Sequence, residues 1–157
     1  MDRSVQAFSA GLAVIEGGVH GAASSQVHRL LLGCEQRGAA AVVDDHLGER
    51  RRLPGFGHRI YRNEDPRLRP LLDAVRSLPD PQGRRDVVDD LLIEAGIRLT
   101  KRANVGLGLG ALSFVAALPL DAPLFAVARI AGFAAHYIEE RGERPLRFRG
   151  VARTQEA

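Results

Sequence analysis

Two histidines in this chain of 157 residues lie among glycines, in settings that can do chemistry. The first is His20, in EGGVHGAASS over residues 16–25. Backbone N–H groups at a helix start favour negative charge and disfavour an imidazolium. A histidine there can stay neutral and donate a hydrogen bond to a developing oxyanion. A turn histidine without a role is the competing reading. The second is His58, in LPGFGHRIYRNEDPR over residues 53–67. Its glycines let backbone approach a ligand closely. Arg59, Arg62 and Arg67 then supply planar, charged forks for carboxylate or phosphate. The bland alternative is a basic loop leading into a helix. A third place is Arg129, set inside the mostly apolar FAVARIAGFAAHY. A charge in apolar surroundings needs a partner, either an internal acid or the carboxylate of a substrate.

Other chemistries fall away. Gly106, Gly108 and Ala111 mimic a dinucleotide fingerprint, but RLTKRAN precedes them instead of an apolar strand. The fingerprint's acid about 20 residues further on is also missing. His20, His28, His46, His58 and His136 show no metal spacing, and no G-x-S-x-G elbow occurs. One cysteine, Cys34, excludes an internal disulfide framework. A net charge of +3 suits anionic ligands and is too small to argue for nucleic acid. The uncharged run Asn104–Leu120 is short for a membrane span and holds three glycines and Pro119, so a buried core helix is the better reading. The N-terminus carries no apolar signal region, and a cytoplasmic chain is expected.

The elements that must position these groups read as helices. Val5, Phe8, Leu12 and Ile15 share a stripe that Ser4 could cap and Gly17-Gly18 would stop. Ser24 or Ser25 could cap a second helix, with Val27, Leu30, Leu31 and Cys34 inward and Gly38 at its end. A short helix fits Ala39–His46. Asp65-Pro66 reads as a helix start, followed by a face of Leu68, Leu71, Leu72, Val75 and Leu78. Pro79-Asp80-Pro81 breaks the chain, and Pro79–Gln82 is the best candidate for a hinge. Val87, Val88, Leu91, Leu92 and Ala95 continue on a further helix. Asp121 with Pro123 opens the last one, from about Leu124 to Glu140, and the basic end from Arg144 reads as irregular. No segment alternates as an exposed-face strand does. The 45% hydrophobic content is ordinary for a globular protein, and the fold class is all-α.

Taken together, these segments resemble the C-terminal part of the citrate synthase family. Where the family has GPLHGGAN, the chain has GGVHGAAS. Where it has GFGHRVYKNYDPR, the chain has GFGHRIYRNEDPR. Its closing helix, FAISRTAGWIAH-EQ, is matched by FAVARIAGFAAHYIEE, and its basic end, IRPRA, by LRFRGVA. The resemblance implies a small domain at about residues 22–110, with residues 1–21 and 111–157 as large-domain helices, the whole forming one region. The family's N-terminal large-domain region would be absent. It implies that His20 stabilises the enolate of an acyl-CoA. It implies that His58 binds the carbonyl oxygen of oxaloacetate and acts as acid there, and that Arg67 and Arg129 hold its carboxylates. Arg147 matches the arginine donated by a neighbouring subunit. Leu53, Pro54, Gly55, Phe56 and Gly57 would lie against the adenine end of coenzyme A. The reaction would be a Claisen-type condensation of oxaloacetate, or a similar 2-oxo acid, with an acyl-CoA, or cleavage of a citryl-CoA-like thioester. Coenzyme A would enter as substrate, with no cofactor and no metal. The protein partner would be a second copy or a subunit carrying the N-terminal half. One departure concerns the chemistry: Gly106 stands where the family's NVDFYSG segment has its general-base aspartate. A chain that binds these ligands without turnover is therefore the alternative.

Overall fold

Apolar residues at helical spacing, punctuated by Gly38, Gly83 and the prolines, produce seven helices among the described residues. A computed structural model describes residues 3–15, 22–120 and 122–143. The helices are α1 (Arg3–Ile15), α2 (Ala23–Arg37), α3 (Ala39–Gly48), α4 (Leu68–Ser77), α5 (Arg84–Arg98), α6 (Val105–Val115) and α7 (Leu124–Arg141). The described residues hold no strand, only an isolated antiparallel bridge between Phe56 and Ala103. The Gly17-Gly18 stop, Asp121 and the end from Arg144 lie outside the described residues, as do His20 and Arg147.

The uncharged run becomes the centre of the protein. Helix α6 buries Gly106 to Ala111 and Ser113 to Val115 between α2 and α4. Its glycines let the helices approach closely. A Cβ on Gly108 would lie 2.7 Å from Leu71 Cβ, and one on Gly110 would lie 2.9 Å from the Ser24 carbonyl. The G-x-G-x-x-A likeness is therefore a helix-packing stripe. Val27, Leu31, Leu91, Leu107 and Phe114 fill the core around it. Among the described residues, no helix is long and apolar enough to cross a membrane.

Two buried groups carry consequences for stability. Cys34 is 3% exposed, and burial pushes its thiol up to about 11. His28 is buried beside Ser113, with Nδ1 2.9 Å from the hydroxyl oxygen. Burial first, then the charges of Arg84 and Arg29, hold its pKa below the ordinary value.

Four expectations need correction. Neither Ser24 nor Ser25 caps α2. Ala22 stands at the cap without a side-chain hydrogen bond, and Ser24 is buried inside the helix against α6. Asp65-Pro66 precedes α4 by a turn, because the Asp65 carboxylate folds back onto the Arg67 N–H (3.1 Å). The Pro79–Gln82 break, where the sequence suggested a hinge, is bridged by hydrogen bonds. Asp80 accepts the Arg84 and Arg85 amides of α5 at 2.8 Å each, and Arg85 Nη1 reaches the Arg76 carbonyl of α4 (2.9 Å). Finally, Arg129 is not enclosed by apolar neighbours. Helix α7 buries none of its residues, and Arg129 is exposed with its guanidinium over the Phe133 ring.

Candidate functional site

The loop before His58 is built on glycines that have to be glycines. Gly55 (φ +83°) and Gly57 (φ +82°) adopt left-handed backbone. A Cβ on Gly55 would also meet Val27 at 2.9 Å. Leu53 anchors the loop in the core. The loop is then tied to the segment leading into α6. The Gly57 N–H donates to the Arg102 carbonyl (2.8 Å), and the Asn104 N–H donates to the Gly55 carbonyl (2.9 Å). Asn104 does two further things. Its Nδ2 donates to the Gly57 carbonyl (2.6 Å), and its Oδ1 caps α6 by accepting the Gly106 N–H (2.8 Å).

These ties aim His58. Its Nδ1 accepts the backbone N–H groups of Ile60 and Tyr61, both at 3.1 Å. In a neutral ring the proton is then on Nε2, which faces outward. The Nη2–H of Arg67 is directed at Nε2 across 3.2 Å. With the ring proton on Nε2 the two donors face each other, and an anionic oxygen that accepts from both relieves the contact. Tyr61 stacks beside both, 4.9 Å from the His58 ring and 5.0 Å from the Arg67 guanidinium carbon.

Arg67 is in turn held by Asp65, whose side chain is 1% exposed. The carboxylate accepts the Arg67 N–H (3.1 Å), Nε (2.8 Å) and Nη2 (2.9 Å), and the Val105 N–H at the start of α6 (2.9 Å). Burial by itself would raise its pKa. The hydrogen bonds from Arg67 and Val105, with the charge of Arg67, prevail and hold it down to about 2.

Two clefts open from this cluster. The first, of about 560 Å³, is lined by Phe56, His58 and Tyr61 together with Arg52, Arg59, Arg62, Lys101 and Arg102. No acid lines it among the described residues, and its cations suit a ligand with several phosphates. The second, of about 670 Å³, lies between Arg67, Val105, Leu109 and α7, where Phe125 and Arg129 complete it. The structure therefore brings His58 and Arg67 together, sets Arg129 across a cleft from Arg67, and places Phe56, Gly57 and His58 on the basic cleft. Among the described residues, the walls of the second cleft include no acid. Gly106 sits just inside α6, where an added Cβ would meet Asn104 Oδ1 at 3.0 Å and Ala23 Cβ at 3.6 Å. Among the described residues, no group of histidines, cysteines and acids could hold a metal ion.

Reading the residues alone missed Asp65, Tyr61, Asn104, Lys101 and Arg102. Asp65 passed for a helix-start signal. Asn104 and the two cations were noticed only as flanks of a rejected glycine motif. The local clue was an Asn directly before an apolar helix, which is a cap signature.

Comparison with known proteins adds an independent line. The family described as citrate synthase, C-terminal domain, matches residues 3–149. The citrate synthase of Mycolicibacterium smegmatis is 27% identical over 147 residues, which are 89% of this chain and 39% of that protein. A citrate synthase from Thermotoga maritima superposes with a TM-score of 0.66 at 27% identity, covering 91% of this chain and 42% of the other. A citrate synthase from Thermoplasma acidophilum, solved with carboxymethyl coenzyme A and oxaloacetate, has the same fold, with a TM-score of 0.69, 24% identity and coverage of 96% and 44%. The chain thus spans about two fifths of the length of the relatives it matches.

Proposed function

Since the chain belongs to the citrate synthase family, we propose that it forms the C-terminal part of a citrate synthase-type active site. A 2-oxo dicarboxylate such as oxaloacetate binds at His58, Arg67 and Arg129, and a coenzyme A thioester binds in the adjoining basic cleft. The observation that carries this reading is the 3.2 Å approach of Arg67 Nη2 to His58 Nε2, with Arg129 on the same cleft as Arg67. A 2-oxo acid offers a carbonyl oxygen and carboxylates to such donors. The five cations of the first cleft match the phosphates of coenzyme A; of the loop Leu53–Gly57, proposed for its adenine end, Phe56 and Gly57 line that cleft.

In the condensation, a C–H bond of the thioester's donor carbon breaks and its proton goes to a base. The resulting enolate forms a carbon–carbon bond with the ketone carbon. The carbonyl electron pair moves onto oxygen, which takes up a proton. Water then cleaves the thioester, releasing the thiol of coenzyme A. Charge develops on two oxygens, and each needs a positioned donor. His58 serves the ketone oxygen and His20 serves the thioester oxygen. Because Nδ1 of His58 is engaged by two backbone N–H groups, its part is to donate a hydrogen bond from Nε2. Arg147 would complete the carboxylate grip from a neighbouring subunit. That subunit is a second copy or a chain supplying the rest of the family's length. The exposed Val127, Ile130 and Ile138 of α7 offer it an apolar face.

Gly106 favours a second reading, ligand binding without condensation. Loss of a positioned general base costs on the order of 10² to 10⁴ in rate. Asp65 is a poor replacement, because its carboxylate already accepts four hydrogen bonds. Release of coenzyme A thiol from acetyl-CoA and propionyl-CoA, with and without oxaloacetate, separates the two readings when wild type is compared with Gly106→Asp. Oxaloacetate-dependent release by wild type establishes the condensing enzyme. Release by the aspartate variant alone establishes the binding homologue. Absence of oxaloacetate and coenzyme A binding in calorimetry refutes both.

A further inference from the structure

Resting on the reading of Arg67 as a carboxylate-holding group, we infer that Asp65 is the positioning residue of this site, fixing the Arg67 guanidinium so that its free edge faces the ligand beside His58. Three contacts fix that group. Asp65 takes Nε and one Nη2 hydrogen of Arg67 in a two-pronged bond, at 2.8 and 2.9 Å. The Tyr61 ring covers one face of the guanidinium at 5.0 Å. What remains is Nη1, with the second Nη2 hydrogen turned toward His58 Nε2. Asp65 itself does not reach a ligand, since its side chain is 1% exposed and both oxygens are engaged. It acts through Arg67. An arginine on a loop loses side-chain freedom when it binds, and one already held in place has less to lose. The charge assignment follows too. A buried carboxylate persists only when paired, and among the described residues Arg67 is the cation that pairs with it.

The same carboxylate also accepts the Val105 N–H, so a helix-anchoring role competes with the positioning role. The two are separable. Val105 is the first residue of α6, where proline is tolerated and removes only that N–H. Asn104 before it has extended backbone (φ −127°, ψ 179°), as a residue preceding proline requires.

The test uses the whole chain and four variants: Asp65→Asn, Arg67→Gln, the double variant and Val105→Pro. Oxaloacetate and coenzyme A are titrated into each, and the arginine Nε–H resonances are followed by nitrogen-edited NMR. Asp65→Asn should weaken oxaloacetate binding about tenfold and leave coenzyme A binding within twofold. In the Arg67→Gln background the same change should matter less than twofold, because its route has been removed. A slowly exchanging Nε–H signal should vanish in Asp65→Asn and Arg67→Gln and persist in Val105→Pro. Equal losses from Asp65→Asn in both backgrounds, or loss of the Nε–H signal in Val105→Pro, overturn the inference. If Asp65→Asn does not fold, wild type decides: an Arg67 Nε–H that exchanges as fast as those of the exposed arginines overturns the inference. Failure of wild type to bind oxaloacetate while the Nε–H signal behaves as described refutes the proposed function and leaves the hold of Asp65 on Arg67 standing.

Discussion

At the scale of single residues, the site is an arrangement of donors looking for an acceptor. His58 and Arg67 bring hydrogen-bond donors to within 3.2 Å of each other, an arrangement that an anionic oxygen between them relieves. Removing the more strongly charged member should therefore be costly. Arg67→Ala is expected to lower oxaloacetate affinity about tenfold to hundredfold, in line with loss of hydrogen bonds to a charged group. Coenzyme A affinity should stay within twofold, because Arg67 does not line the basic cleft. Calorimetry on both ligands checks the split. A second prediction concerns Gly106. It sits buried in the first turn of α6, and an added Cβ would press on Asn104 Oδ1 at 3.0 Å, so the cap has to give way slightly. The helix dipole favours an aspartate there and offsets part of that cost. Gly106→Asp should thus fold with a loss of about 1–3 kcal/mol, measured by urea denaturation, whatever it does to turnover.

At the scale of elements, α6 is the axle on which the site is mounted. It carries the Asn104 cap that holds the loop at Gly57, and its first N–H is bound by Asp65. Its glycine stripe sets how closely α2 and α4 can sit. Gly110→Ala should destabilise by about 1–3 kcal/mol, as overpacking does. The double variant with Val27→Ala should cost less than the sum of the two, since Val27 is the neighbour displaced. Ala117, just after α6, has φ +52°, a left-handed position that favours glycine. Ala117→Gly should raise stability by about 0.5–1 kcal/mol. These elements also show what was legible in the sequence. Helix spacing revealed α2, α3, α4 and α7 to within a few residues, because each has an apolar pattern and a glycine or proline boundary, and it gave α5 and α6 their apolar positions without their ends. His58, Arg67 and Arg129 stood out by residue type. Asp65 did not, because its importance lies in contacts with Val105, 40 positions away. Arg129 misled in a different way. An apolar sequence around a charge suggested burial, yet no residue of the helix bearing it is fully buried and Arg129 itself is exposed.

At the scale of the whole molecule, protonation should loosen the fold from two sides. The pKa of Asp65 is depressed in the native state, so its contribution is present above the unfolded value of 3.8 and is lost as pH falls toward about 2. His28 is also depressed. The unfolded chain takes up that proton near 6.5 while the folded chain does not, so stability falls as pH drops below 6.5. The urea midpoint should therefore be flat above about pH 7 and decline below it, then fall again below pH 4. His28→Gln, which keeps a partner for Ser113, should remove the first decline and leave the second.

The burial of Cys34 has a consequence for how this protein meets oxidants. It is the chain's only cysteine, and Met1 is its only methionine. A thiol held up to about 11 by burial offers almost no thiolate to peroxide or to a disulfide. The folded chain should thus pass through oxidising conditions without covalent change at Cys34. Its mass after peroxide treatment should shift by one oxygen at most, at Met1, and sulfinic acid at Cys34 should accumulate only at urea concentrations that unfold the core.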